Sequence, residues 1–229
     1  MFLGIAGAVL HLDRTYVLQV MISRPLIASS IAGAILGDVL VGLTAGMALE
    51  LLWLGIQPLG TSIPPHDTLV SLVVPSAAIL SPRVIDSPEM ITMGGIIALS
   101  MLLSLPLGEV GRVADIKLRK KNGALLAEVR EEIGSGDIDP VARKVFKSIG
   151  MAGVWFFVLS FFSVILVTMI MAILIPLLPG RLWAGLEVIC LSIPIFGVVS
   201  MEAAGMPPVR FGVSFLAACV VFFLLVGVS

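Results

Sequence analysis

Charge is gathered in one place along this chain. Of its 29 charged side chains, 16 fall between residues 109 and 149, nine basic and seven acidic, and the other 188 residues carry only 13. A soluble domain needs charge over its whole surface, with about a quarter of its residues ionic. Here the charged share is 13%, against 59% hydrophobic. That pattern excludes a soluble globular protein and a disordered one. A net charge of −1 offers no field for a polyanion, so a nucleic-acid binder is excluded as well. What remains is an integral membrane protein with one polar segment.

The apolar runs set the number of crossings. Met90–Gly108, Gly150–Leu178 and Phe211–Ser229 carry no charge and are long enough to span, a helix needing about 20 residues to do so. Val39–Gly60 spans with only Glu50 embedded, and Trp183–Gly205 with Glu187 and Glu202. Thr68–Pro82 is short and contains Pro75, while Thr15–Gly37 is interrupted by Arg24-Pro25. Short, proline-broken apolar pieces read as re-entrant hairpins or as kinked, tilted helices, and the former are a pointer to a transporter binding site. The sequence therefore predicts an all-α integral membrane protein of about 6–8 transmembrane or re-entrant helical segments. Residues 1–229 form one membrane domain. A first half, 1–108, and a second half, 150–229, are joined by an amphipathic polar segment, 109–149.

Within that segment, Ala114, Leu118, Leu125, Leu126 and Val129 mark an amphipathic helix with breaks expected at Asn122-Gly123 and Gly134-Ser135-Gly136. Asp139-Pro140 marks the start of another helix. The surplus of Lys and Arg beside two spans places the segment in the cytoplasm. Met1–Leu10 is apolar but lacks a basic flank and a cleavage site, so no signal peptide is expected. Cys190 and Cys219 both lie in apolar runs and read as small core residues, with no disulfide or metal site.

Among the few charges outside the segment, Glu50 stands near the middle of its span. A carboxylate at that depth costs about 2.5–3.5 kcal/mol or more unless it faces a partner or a cavity. Gly42, Gly46 and Glu50 share one helical stripe, and the glycines admit a close neighbouring helix. Trp53 and Gln57 continue that face. A carboxylate, an amide and an aromatic ring suit a neutral polyol, the polar groups taking hydroxyls and the ring covering an apolar sugar face. The competing reading makes Glu50 a strut paired with an arginine. Downstream, Pro64-Pro65 forces an extended turn before His66-Asp67. These two contact substrate, or Asp67 caps the next helix beside a polar interface His66. Asp13, Gln19, Arg24, Asp38 and Glu202 are supporting candidates. Arg24 pairs with Glu50 or Asp38 or snorkels to the interface, Asp38 caps the helix from Val39, and Glu202 lies near Arg210 and Pro207-Pro208.

Taken in order, Leu12-Asp13, the run Gln19 to Pro25, Gly33 to Asp38, Gly42 to Gly55 and Gly60 to Pro65 form a series. It resembles the enzyme IIC (permease) subunit of the mannose/fructose/sorbose family of the bacterial phosphotransferase system. Gly136 to Gly150 resembles the family's segment ahead of its second membrane half. The resemblance implies a multi-pass bacterial inner-membrane subunit that translocates a hexose-like sugar together with a IID membrane partner, as an oligomer of IIC–IID pairs. Cytoplasmic IIA and IIB proteins would carry phosphoryl groups to the sugar, so this chain would hold no catalytic nucleophile and no cofactor. The absence of a Gly-x-x-x-x-Gly-Lys-[Ser/Thr] loop agrees. Where the family usually shows Asp or Asn after the paired prolines, this chain has His66. Two other classes stay open from the residues alone. Buried Glu50, Glu187 and Glu202 suit an ion-coupled secondary transporter. The departure at His66 suits a non-transporting scaffold or sensor derived from such a permease.

Overall fold

The computed structural model describes residues 1–17, 19–54, 63–84, 91–134 and 139–203. Among these, seven helices and no strand are found. They are α1 (Phe2–Thr15), α2 (Pro25–Leu36), α3 (Val39–Trp53), α4 (Asp67–Val84), α5 (Met93–Gly134), α6 (Asp139–Leu177) and α7 (Gly180–Ala203). Of these, α4, α5 and α6 contain stretches long and apolar enough to cross a membrane. The Phe211–Ser229 run lies outside the described residues.

The central element is α4. It is apolar nearly all round, and every residue from Thr68 to Ile79 is buried. Such a helix must be surrounded, and α1, α2, α3, α5 and α6 all pack against it. Its 18 residues make about 27 Å, close to the hydrocarbon thickness, so the segment that looked short in sequence is of spanning length. Its serine hydroxyls are satisfied within the helix. Ser71, Ser76 and Ser81 donate to carbonyls four residues back at 2.6–2.7 Å. Pro75 has no N–H to give the Ser71 carbonyl. Ser29 of α2 supplies the missing donor, its hydroxyl reaching the Ser71 carbonyl at 2.7 Å.

Among the described residues α2 and α3, with 12 and 15 residues, fall short of the length needed to span, where the sequence expects Val39–Gly60 to cross, and they form a tight hairpin. Pro25 opens α2 at a position where a lost N–H is harmless. Gly37 closes it in the left-handed region, φ +83°. Asp38 then caps α3, accepting from the Val41 N–H at 3.1 Å, as the sequence predicts. The two helices nearly touch. A methyl on Gly42 would lie 2.5 Å from the Ser29 carbonyl, and one on Gly46 would lie 2.9 Å from Leu26 Cα.

The polar segment departs from expectation in one respect. α5 runs through Asn122-Gly123 without a break, ending at Gly134, while α6 starts at Asp139 as expected. The continuity has a cause. Ala114 and Leu118 pack with Ala152 and Phe156 of α6, and Asn122 donates to the Tyr16 hydroxyl at 3.1 Å.

Candidate functional site

The last turn of α1, the start of α2, the end of α3, the start of α4 and the middle of α5 converge on one cavity of about 290 Å³. Arg14 and Thr15 come from α1, Ser23 and Arg24 from the approach to α2, and Trp53 from α3. Ile63, Pro64, Pro65, Asp67 and Thr68 line the entry to α4, with Asp115 and Arg119 on α5. A second cavity of about 420 Å³ shares Arg14, Thr15, Asp115 and Arg119 with the first, and adds Tyr16, Gln19 and Asn122.

The entry to α4 is fixed from several sides. The prolines hold the chain extended, and the His66 N–H donates to the Gly108 carbonyl of α5 at 2.9 Å. α5 comes this close because Gly111 faces His66, where a methyl would lie 2.5 Å from the His66 Cβ. The cap of α4 is His66: its Nδ1 accepts from the Leu69 N–H at 3.0 Å. Asp67 sits in the first turn, where a carboxylate also favours the helix dipole. There it accepts from the Thr68 N–H at 2.8 Å and pairs with Arg14. Arg14 reaches further, to the Pro65 carbonyl at 3.2 Å and the Thr68 hydroxyl at 3.3 Å. Thr68 in turn donates to the Ser23 carbonyl at 3.0 Å. One guanidinium thus ties α1 to α4, and one hydroxyl ties α4 to the approach to α2.

The segment between α1 and α2 folds around Asp13, which accepts from the Val20 and Ser23 N–H groups at 2.8 and 3.1 Å. Glu50 does not line the cavity. It accepts from the Leu26 N–H at the start of α2, 3.2 Å away, and lies 3.5 Å from Arg24, which does line it. Of the residues singled out from sequence, Trp53, Asp67 and Arg24 meet in the first cavity and Gln19 lines the second. Asp38 is engaged as a cap and His66 is buried behind the wall. Gln57 lies outside the described residues, as does the side chain of Glu202 on the last turn of α7.

Three residues were missed. Arg14 follows Asp13 directly, and its partner Asp67 is 53 positions away, so no local pattern joins them. His11 sits in an apolar helix and is fully buried. Asp115 did carry a signal. Gly108, Gly111, Asp115 and Leu118 follow helical spacing, which sets Asp115 on the inner stripe of a charged helix.

Comparison with known proteins agrees with this architecture. A family model described as the sorbose-specific IIC component of the phosphotransferase system matches residues 1–227. A protein of Escherichia coli strain K12 named N-acetylgalactosamine permease IIC component 2 is 35% identical over 77 residues, 34% of this chain and 57% of that protein. The mannose-specific EIIC component of the same strain is 33% identical over 96 residues, 42% of this chain and 32% of that protein. The alignments thus reach less than two thirds of either relative. Two solved structures share the fold. One is described as a membrane protein, with a TM-score of 0.62 and 22% identity over 97% of this chain and 92% of its own. The other is the mannose transporter ManYZ in complex with microcin E492, with a TM-score of 0.60 and 21% identity over 99% and 90%. With a match over nearly its whole length, this multi-pass, all-helical membrane chain belongs to the sorbose-specific IIC component family of the phosphotransferase system.

Proposed function

We propose that the chain is the sugar-translocating IIC subunit of a mannose-type phosphotransferase system in a bacterial inner membrane. It works beside a IID membrane subunit, in an oligomer of such pairs, and cytoplasmic IIA and IIB proteins phosphorylate the sugar it delivers. It performs no phosphoryl transfer itself. The observation that carries this reading is the first cavity. At about 290 Å³ it is close to the lower end of small-ligand pockets. Its wall offers an aromatic ring at Trp53 and donors and acceptors at Arg14, Arg24, Asp67 and Thr68. That mixture fits a hexose, whose hydroxyls need paired partners and whose ring face needs an apolar cover. Trp53 and Asp67 contact the sugar. Glu50 acts through Arg24 and the start of α2, as His66 does through the cap of α4. Gln57, four residues past Trp53 in the sequence, is a further sugar contact in this reading.

Uptake in cells supplying IIA, IIB and IID tests this. With mannose, N-acetylgalactosamine and sorbose as probes, at least one is taken up in a phosphoenolpyruvate-dependent way. Trp53→Ala and Asp67→Asn each lower uptake about tenfold or more at normal membrane levels. Uptake that survives loss of IIA and IIB but collapses with an uncoupler would instead identify an ion-coupled transporter.

A further inference from the structure

One group in the cavity wall has no role in that account. Asp115 is 5% exposed, yet it lines both cavities. Behind it lie the chain's only two histidines, His11 and His66, at 0% and 1% exposure. Their hydrogen bonds fix where the protons are. His66 Nδ1 accepts from the Leu69 N–H, so in the neutral ring the proton sits on Nε2. That Nε2 is 2.9 Å from His11 Nδ1, which must accept. His11 then carries its own proton on Nε2. Among the described residues this buried nitrogen has no hydrogen-bond partner, and it lies 3.7 Å from an Asp115 oxygen. Phe156 stacks on both imidazoles, with centroids 3.4 and 4.6 Å away, and keeps the rings in place.

The three side chains are close enough to suggest a metal centre, with ligand atoms within 4.8 Å of one another. The proton positions argue against it. A metal on His11 Nε2 would put a proton on Nδ1, facing the proton on His66 Nε2. A metal on His66 Nε2 would require a proton on the Nδ1 that already accepts from Leu69. The hydrogen bonds instead run one way, from the α4 backbone through two rings toward a carboxylate in the cavity.

We propose that Asp115 is a further sugar-recognition residue, accepting one substrate hydroxyl, and that His11 and His66 are positioning residues that orient it. This rests on the sugar-permease reading. A separation of 3.7 Å is too long for an N–H···O bond. When the cavity fills, the carboxylate closes on His11 Nε2 with one oxygen and turns the other to the substrate. A charge-assisted bond to each side then holds it.

The test uses the chain with its IID partner in lipid nanodiscs, with ring nitrogen-15 label only in this chain's two histidines. The expected spectrum shows both rings as the Nε2–H tautomer. Binding of mannose, N-acetylgalactosamine and sorbose, and of single-deoxy forms of the sugar that binds, is measured alongside. Asp115→Asn weakens binding of the parent sugar roughly 10- to 100-fold and abolishes discrimination against one deoxy form only. His11→Phe keeps the stack on Phe156 and loses about tenfold. His66→Asn keeps a good helix cap but deletes the link; it loses a similar factor without lowering the unfolding temperature, and neither loss adds to that of Asp115→Asn. Binding within twofold of normal in Asp115→Asn, or an unchanged discrimination pattern, would overturn the proposal. So would Nδ1–H rings with cobalt-induced shifts, the mark of a metal centre. If the unaltered complex binds none of the sugars, the permease reading itself fails; the tautomers alone then decide the relay.

Discussion

Arg14 is the residue on which the site turns. It ties the last turn of α1 to the first turn of α4 through Asp67, Thr68 and the Pro65 carbonyl. The Arg14 and Asp67 side chains are 15% and 28% exposed, so each lies mostly out of water and depends on the other. Removing one partner leaves a partly desolvated charge behind. Arg14→Ala is expected to lower stability by about 1–3 kcal/mol, measured as the unfolding midpoint in detergent. Asp67→Asn keeps an acceptor oxygen and should lose less. The exchanged pair Arg14→Asp with Asp67→Arg should recover part of the loss; full additivity of the two changes would mean the pair does not interact. What could be read at this scale follows from distance along the chain. The Asp38 cap was legible because cap and helix are adjacent. His66 was not legible as a cap, since histidine is absent from the usual capping set. Arg14 with Asp67, and His11 with Asp115, are brought together only by packing between helices.

The elements show the same division. The boundaries of α2 and α3 were legible from Arg24-Pro25 and Gly37-Asp38, because each acts on the residues next to it, but their pairing as a short hairpin was not, since Val39–Gly60 reads as a span. The span of α4 was hidden by Pro75, since the compensation comes from Ser29, 46 positions earlier. Ser29→Ala should therefore leave a buried carbonyl unpaired and lower stability by about 1–3 kcal/mol. Pro75→Ala restores an N–H to that carbonyl, so Ser29→Ala in the Pro75→Ala background should be nearly neutral. A cycle of unfolding midpoints with equal losses in both backgrounds would refute this. The break expected at Asn122-Gly123 failed for the opposite reason: local propensity for a turn is outweighed by packing of α5 on α6. Glycine there still weakens the helix. A methyl on Gly123 meets nothing within 4 Å. Gly123→Ala should thus raise stability by up to about 1 kcal/mol, read from the same midpoint.

At the scale of the whole molecule, α5 sets the geometry. Its 42 residues make about 63 Å, twice the hydrocarbon thickness, so much of it stands clear of the lipid. Met93 to Gly108 carries no charge, and charge begins at Glu109. Asp115 and Arg119, which line both cavities, lie beyond that boundary. Both cavities therefore lie toward the end of the bundle that carries the polar segment. On the proposed function, the surplus of Lys and Arg would set that end in the cytoplasm, where a phosphoryl donor would reach a bound sugar. This predicts a sidedness. In a background of Cys190→Ser and Cys219→Ser, Lys120→Cys should react with a membrane-impermeant maleimide in inside-out vesicles and not in intact cells. Gln19→Cys, at the wall of the second cavity, should react from the same side and be protected by the transported sugar. Labelling of Lys120→Cys from outside intact cells would invert the molecule and turn its cavity away from any cytoplasmic donor. Labelling of Gln19→Cys from the opposite side to Lys120→Cys would separate the cavity from the polar segment altogether.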